Sequence, residues 1–75
     1  MKELLEVIAK SLVDVPESVD VREKDGEQSV VLELRVADGD MGKVIGKRGR
    51  IAQSIRTVMQ AAANRENKRV TVEII

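Results

Sequence analysis

The sequence predicts an α+β fold: a three-stranded sheet with helices packed on one face, in a single domain over residues 1–75. Two kinds of apolar spacing and one kind of punctuation carry that expectation. Stretches with an apolar residue at every second position read as half-buried strands, and stretches with apolar residues three or four apart read as amphipathic helices. Pro16, Asp25-Gly26, Ala37-Asp38-Gly39-Asp40 and the pair Gly46 and Gly49 separate one stretch from the next.

The first element is a helix over residues 2–13. Leu4, Leu5, Ile8 and Leu12 form its apolar stripe, with Glu3, Glu6 and Lys10 turned elsewhere. Pro16 ends it, having no N–H to donate, and pushes Val15 toward an extended conformation. Val19 to Lys24 then alternates, and Ser29 to Val36 alternates through Val30, Leu32, Leu34 and Val36. With the Asp25-Gly26 turn signal between them, these two segments predict a β-hairpin with one buried face.

A short helix over Met41–Ile45 follows, capped by Asp38 or Asp40. Gly46–Gly49 interrupts it. A longer helix then runs from about Arg50 to Asn64 on the apolar residues Ile51, Ile55, Val58, Met59 and Ala62, with Asn64 as its C-cap. Val70, Val72 and Ile74 alternate and supply the last strand. The predicted order is α-β-β-α-(Gly loop)-α-β.

Composition narrows the chemistry. A chain of this length buries only roughly 60% of its unfolded surface, and its core is aliphatic because Phe, Tyr and Trp are absent. There is no Cys, which excludes a disulfide framework and a thiolate nucleophile, and no His, which removes the commonest general base and metal ligand. No cofactor or metal is expected. Acids interrupt the first apolar residues, unlike a secretory signal, and no apolar run approaches the ~18 residues of a membrane span. A cytoplasmic protein with no membrane partner is the expectation.

The net charge is zero, but it is unevenly distributed. Residues 1–40 hold eleven acids and five bases, whereas residues 41–75 hold eight bases and two acids. From Met41 to Arg65 there are six cations and no carboxylate. Local potential of this kind steers an anionic partner even when the total charge vanishes.

Within that basic half lies Ile45-Gly46-Lys47-Arg48-Gly49-Arg50. Glycines let bare backbone N–H groups approach a phosphate, and the start of the following helix adds free donors and a favourable dipole. Lys47 and Arg48 add charge at the tip, while Lys43, Arg50 and Arg56 lie near enough to deepen the potential. Gly42-Lys43 and Gly46-Lys47 do not make a P-loop, which needs four residues between its glycines and a Ser or Thr after its Lys. On the plain alternative, Gly46–Gly49 is only a turn between helices and its cations are solvated.

The order of elements, with Gly46-Lys47-Arg48-Gly49 between paired helices, resembles the type II KH domain. The stretch from Val44 to Ala52, continuing through Ile55-Arg56-Thr57, is similar to the small bacterial single-domain KhpA family. The resemblance spans the whole chain and implies non-catalytic binding of single-stranded RNA, about four nucleotides per domain. It makes Gly46, Lys47, Arg48 and Gly49 the clamp on the sugar-phosphate backbone and sets the bases in an adjacent apolar groove. Val44, Ile45 and Ile51 are candidates for its wall or for the core beneath; Lys43 and Arg50 complete the candidate site. Where many KH domains carry a bulky aliphatic residue three positions after the second glycine, this chain has Ala52. The family further implies an RNA chaperone or post-transcriptional regulator linked to cell shape and envelope growth. The same resemblance implies a homodimer, or a heterodimer with a larger KH-containing protein of the KhpB kind. Without aromatic platforms, which contribute ~1–3 kcal/mol per base, a single domain is expected to bind weakly. The rival reading is a protein-interaction adaptor that keeps the fold without RNA.

Overall fold

The computed structural model of the protein describes Met1–Ile75. Its elements are α1 (Lys2–Leu12), β1 (Asp20–Asp25), β2 (Ser29–Arg35), α2 (Met41–Ile45), α3 (Arg50–Asn64) and β3 (Arg69–Ile74). Short 3₁₀ turns over Pro16–Ser18, Asp38–Asp40 and Lys47–Gly49 stand at three of the junctions. This is the order of elements that the apolar spacing predicts, with helix and strand limits within a residue or two, and it is the order that the resemblance to the type II KH domain implies.

The sheet has the order β1-β2-β3. β1 and β2 form the hairpin, antiparallel, with Val21 opposite Leu34 and Asp25 opposite Val30. β3 pairs parallel to β2, Val30 opposite Val70 and Leu32 opposite Val72. A parallel neighbour needs a crossover, and here the crossover is α2, the glycine loop and α3 together.

Strand alternation sends Val21, Val30, Leu32, Leu34 and Val72 to one face, where they meet Leu5 and Ala9 of α1, Val44 of α2 and Ile55 and Met59 of α3. The opposite face carries exposed polar residues, among them Arg22, Lys24 and Thr71, and an ion pair of Lys24 with Glu33 at 3.6 Å. The sheet is therefore buried on one side only, as the hairpin pattern requires.

Three expectations are corrected. Val58 was expected in the core stripe of α3, yet it is 47% exposed, because Ala52, Ile55, Met59 and Ala63 form the inward row. Leu4 and Leu12 likewise lie at the edge of the α1 stripe, and Ala9 takes the inward position. At the end of α3, Asn64 stays helical and the left-handed residue is Asn67 (φ 56°), where Lys68 N–H reaches back to the Ala63 carbonyl at 3.0 Å.

Asp40 stands at the N-cap position of α2 but does not cap it. Its carboxylate is 2% exposed and turns toward the segment after α1, accepting hydrogen bonds from the Asp14 N–H (3.1 Å) and the Val15 N–H (3.0 Å). Asp38 makes no cap either. The two donors belong to residues that Pro16 holds out of the helix and that no neighbouring strand satisfies, so a buried carboxylate serves as their acceptor.

Candidate nucleic-acid interface

The loop between α2 and α3 holds three departures from right-handed geometry within four residues. Gly46 has φ 76° and ψ 172°, a region essentially restricted to glycine. Arg48 (φ 58°, ψ 24°) and Gly49 (φ 73°, ψ 15°) are both left-handed. Gly49 N–H closes a turn onto the Gly46 carbonyl at 3.1 Å. The two glycines have different reasons to be glycine. A Cβ at Gly46 would collide with Ile51, whereas nothing lies within 4 Å of a Cβ at Gly49. Gly46 is therefore required by packing within the fold, and Gly49 keeps an open approach to the first turn of α3.

Lys47, Arg48 and Arg50 together line a hollow of about 190 Å³, with no other residue contributing. None of the three has a carboxylate within 4.0 Å; the ion pairs of the molecule lie elsewhere. Three cations without an ion-pair partner thus stand at the N-terminus of a fifteen-residue helix. There the Gly49 N–H is taken by the Gly46 carbonyl and the Arg50 N–H by the Lys47 carbonyl, so the three charges and the helix dipole are what suit an anion.

Lys43 does not join this group. Its Nζ lies 3.2 Å from Asp14 and 3.5 Å from Asp40, so its charge is spent within the fold. The Asp14 carboxylate, by hydrogen bond and by charge, raises the Lys43 pKa against the opposing effect of burial, with Asp40 adding to the rise. For Asp40, burial works to raise the pKa, but the two backbone donors and Lys43 together hold it below the usual carboxylate value.

The apolar candidates separate. Val44 is fully buried in the core, Ile45 is 37% exposed on α2, and Ile51 is half-buried beneath Gly46. Ile51 also lines an apolar cleft of about 370 Å³ between α1 and α3, together with Ile8, Leu12, Ile55 and Val58. Ala52, the small residue in place of a bulky one, is buried on α3.

On the other side of α3, toward β3, lies a second cleft of about 350 Å³ that sequence reading missed. Gln53, Arg56, Thr57 and Gln60 of α3 face Val70, Thr71 and Val72 of β3 across it. β3 is an edge strand: Arg69 and Ile75 direct their N–H groups to β2, and alternation sends those of Thr71 and Glu73 the same way, leaving Val70, Val72 and Ile74 with their backbone groups on the outer side. There Val70 N–H donates to Gln60 Oε1 at 3.2 Å, and Arg56 Nε donates to the Val72 carbonyl at 3.3 Å. The i, i+3/i+4 spacing of Gln53, Arg56, Thr57 and Gln60 is visible in the sequence as a polar stripe, but only the strand order shows that it faces a strand edge rather than open solvent.

Comparison with known proteins agrees with this geometry. The family model described as KhpA/KhpB, KH domain, matches residues 2–74. The RNA-binding protein KhpA of Clostridium acetobutylicum is 71% identical over 75 residues, covering all of both chains. That of Clostridium perfringens is 68% identical over the same span, again covering both chains completely. Among solved structures, Era of Aquifex aeolicus superposes with a TM-score of 0.67 at 21% identity, over 97% of this chain and 28% of Era. Era in complex with nucleotides of 16S ribosomal RNA gives 0.60 at 22% identity, with the same coverage; these two likenesses concern the fold. Sequence pattern, loop geometry and whole-length identity converge, and the chain belongs to the KhpA/KhpB KH-domain family.

Proposed function

We propose that this protein binds single-stranded RNA without catalysis, holding the sugar-phosphate backbone at Gly46–Gly49. The observation that carries the proposal is the hollow lined by Lys47, Arg48 and Arg50 alone, with no carboxylate near it, at the N-terminus of α3. Relatives of 71% and 68% identity bear the name RNA-binding protein, which supports the same reading. Arg grips a phosphate bidentately and Lys acts as a mobile point charge.

The bases fit the α3–β3 cleft better than an apolar groove. Val70 and Val72 offer a small aliphatic floor, and Gln53, Thr57, Gln60 and the outer edge of β3 offer hydrogen bonds. Arg56 already reaches this edge and can exchange the Val72 carbonyl for a phosphate. Lys43, held by two acids, contributes structure more than contact. A chaperone or regulatory role tied to cell shape and envelope growth rests on family membership alone.

The apolar side of α3 favours self-association. Leu4, Leu12 and Val58 are partly exposed there, and Ala61 and Ala62 are small enough to let a second copy approach closely. A homodimer would present two RNA clefts and raise affinity by avidity. A larger KH-containing partner of the KhpB kind could use the same face.

The deciding experiment is an RNA titration at two salt concentrations with the wild type and a Lys47→Asp/Arg48→Asp variant. With three or four phosphate contacts, log K falls against log salt with a slope of about −2 to −3. The variant should stay folded and lose most of its affinity. A flat salt response, or equal binding by the two proteins, would exclude this function and leave the adaptor reading.

A further inference from the structure

Asp40 is the only buried charged residue of the molecule, and neither the loop nor the clefts beside α3 use it. Its carboxylate closes a ring of contacts between distant parts of the chain. Oδ1 accepts from the Asp14 N–H at 3.1 Å and lies 3.5 Å from Lys43 Nζ, while Oδ2 accepts from the Val15 N–H at 3.0 Å. Lys43 Nζ reaches on to the Asp14 carboxylate at 3.2 Å and completes the ring. The Asp40 N–H is itself bonded to the Ala37 carbonyl at 2.8 Å, so both sides of the ring stand on fixed backbone.

The ring sits at the base of the element that carries the loop. Asp40 immediately precedes α2, and Lys43 lies within it. α2 has five residues, far fewer than the ~12–15 at which an isolated helix becomes even marginally stable. Its direction is therefore set from outside. Val44 is its one buried side chain and acts as a pivot in the core. Beyond the C-terminal end, Gly46 packs against Ile51. At the N-terminal end, the ring ties α2 to the segment that follows α1. Six residues at 1.5 Å each put Gly46 about 9 Å beyond Asp40. A tilt of α2 by about 10° at its base then carries the loop through about 1.5 Å, against the ~0.5 Å within which a binding constellation has to be held.

We infer that Asp14, Asp40 and Lys43 are positioning residues for the Gly46–Gly49 loop: their contacts set the angle of α2, and so the reach of the loop cations toward the phosphates. The inference rests on the RNA-binding reading above and assigns a role to side chains that touch no RNA. Its consequence has the opposite sign to simple electrostatics. Asp14→Asn, Asp38→Asn and Asp40→Asn each remove one negative charge from the same end of the fold, and added positive potential strengthens the binding of an anion. With the ring as a positioning device, the two variants within it weaken binding instead.

The test is fluorescence anisotropy with a labelled eight-nucleotide oligouridine, paired with residual dipolar couplings of the free proteins, which report the angle of α2 against the sheet. Asp40→Asn should bind about tenfold more weakly than the wild type and Asp14→Asn about threefold. Asp38→Asn, an exposed acid outside the ring, should bind as the wild type does or more tightly. The couplings of α2 in Asp40→Asn should depart from the wild-type orientation by about 10°, while those of β2 and α3 still fit it. A change confined to the melting temperature, with affinity and couplings unaltered, would overturn the inference and leave the ring a purely structural feature. Tighter binding by Asp14→Asn, or weaker binding with α2 unmoved, would overturn it as well. If Asp40→Asn does not fold, Asp14→Asn, whose side chain is 78% exposed, carries both measurements. Absence of salt-dependent binding in the wild type would instead overturn the loop function, and the couplings would still decide whether the ring sets the angle of α2.

Discussion

A Cβ built on Gly46 lies 2.6 Å from Ile51 Cγ1 and 2.9 Å from Ile51 Cβ. The first glycine of the loop is thus locked against the first turn of the helix it precedes. Gly46→Ala combines this overlap with a glycine-only backbone region and should cost about 2–4 kcal/mol in a urea melt. Gly49→Ala meets open space and bears only the left-handed backbone penalty, about 1–2 kcal/mol. Its larger effect should appear in RNA affinity, because the added methyl group occupies the approach to the α3 N-terminus. Equal stability losses for the two variants would contradict this division.

Asp40 gives the fold a definite pH dependence. Its pKa is depressed when folded, so its stabilisation is present above the ordinary carboxylate range and fades as pH falls through the lowered value. Lys43, whose pKa is raised, contributes below the ordinary lysine value of 10.5 and loses its contribution as pH rises through the raised one. Both contributions are complete near neutrality. Asp40→Asn should lower the melting temperature at pH 7 and flatten the acid limb between pH 5 and 2, whereas Asp38→Asn, which is exposed and makes no cap, should do neither. Thermal melts across that range check it.

Arg56 has a double position, on the cleft and on the β3 edge. Arg56→Ala removes the hydrogen bond to the Val72 carbonyl and should destabilise the fold by about 0.5–1.5 kcal/mol. If the guanidinium exchanges that carbonyl for a phosphate, the same variant reduces the salt slope of RNA binding by about 1. Arg56→Gln, which retains a donor, should restore part of the stability and none of the slope.

Val58 separates self-association from folding. It is 47% exposed and lines the apolar cleft between α1 and α3. Val58→Asp should leave the melting temperature within a few degrees of the wild type, since surface substitutions change stability by about 0.5 kcal/mol. It should also convert a dimer to a monomer in sedimentation equilibrium. A dimer that survives this change would place the contact on another face.

The order of elements and the loop were legible because they depend on local signals. Alternation in Ser29–Arg35 and the punctuation by Pro16, Asp25-Gly26 and Gly46–Gly49 do not need the rest of the chain. What escaped were features set by packing. Val58 fits a helical stripe as well as Met59 does, and only the position of α1 decides which one is covered. Asp40 has the sequence signature of a cap, but the donors it satisfies, at Asp14 and Val15, are 26 and 25 residues away. The polar cleft needs β3 to lie beside β2 and not beside β1, a choice that the apolar pattern of a short strand leaves open. Lys43 looks like any other cation of the basic half until its two acids are brought beside it.

The parallel pairing of β2 with β3 has an evolutionary corollary. Everything between those two strands forms one closed excursion that leaves the sheet and returns next to its starting point. Insertions or rewritten tips within that excursion leave strand register untouched, since the β2–β3 ladder fixes both of its ends. A scaffold of this kind can change the molecules it recognises by exchanging a few residues at the tip of one segment, while Val44, Ile55 and Met59 of that segment stay fixed against the sheet.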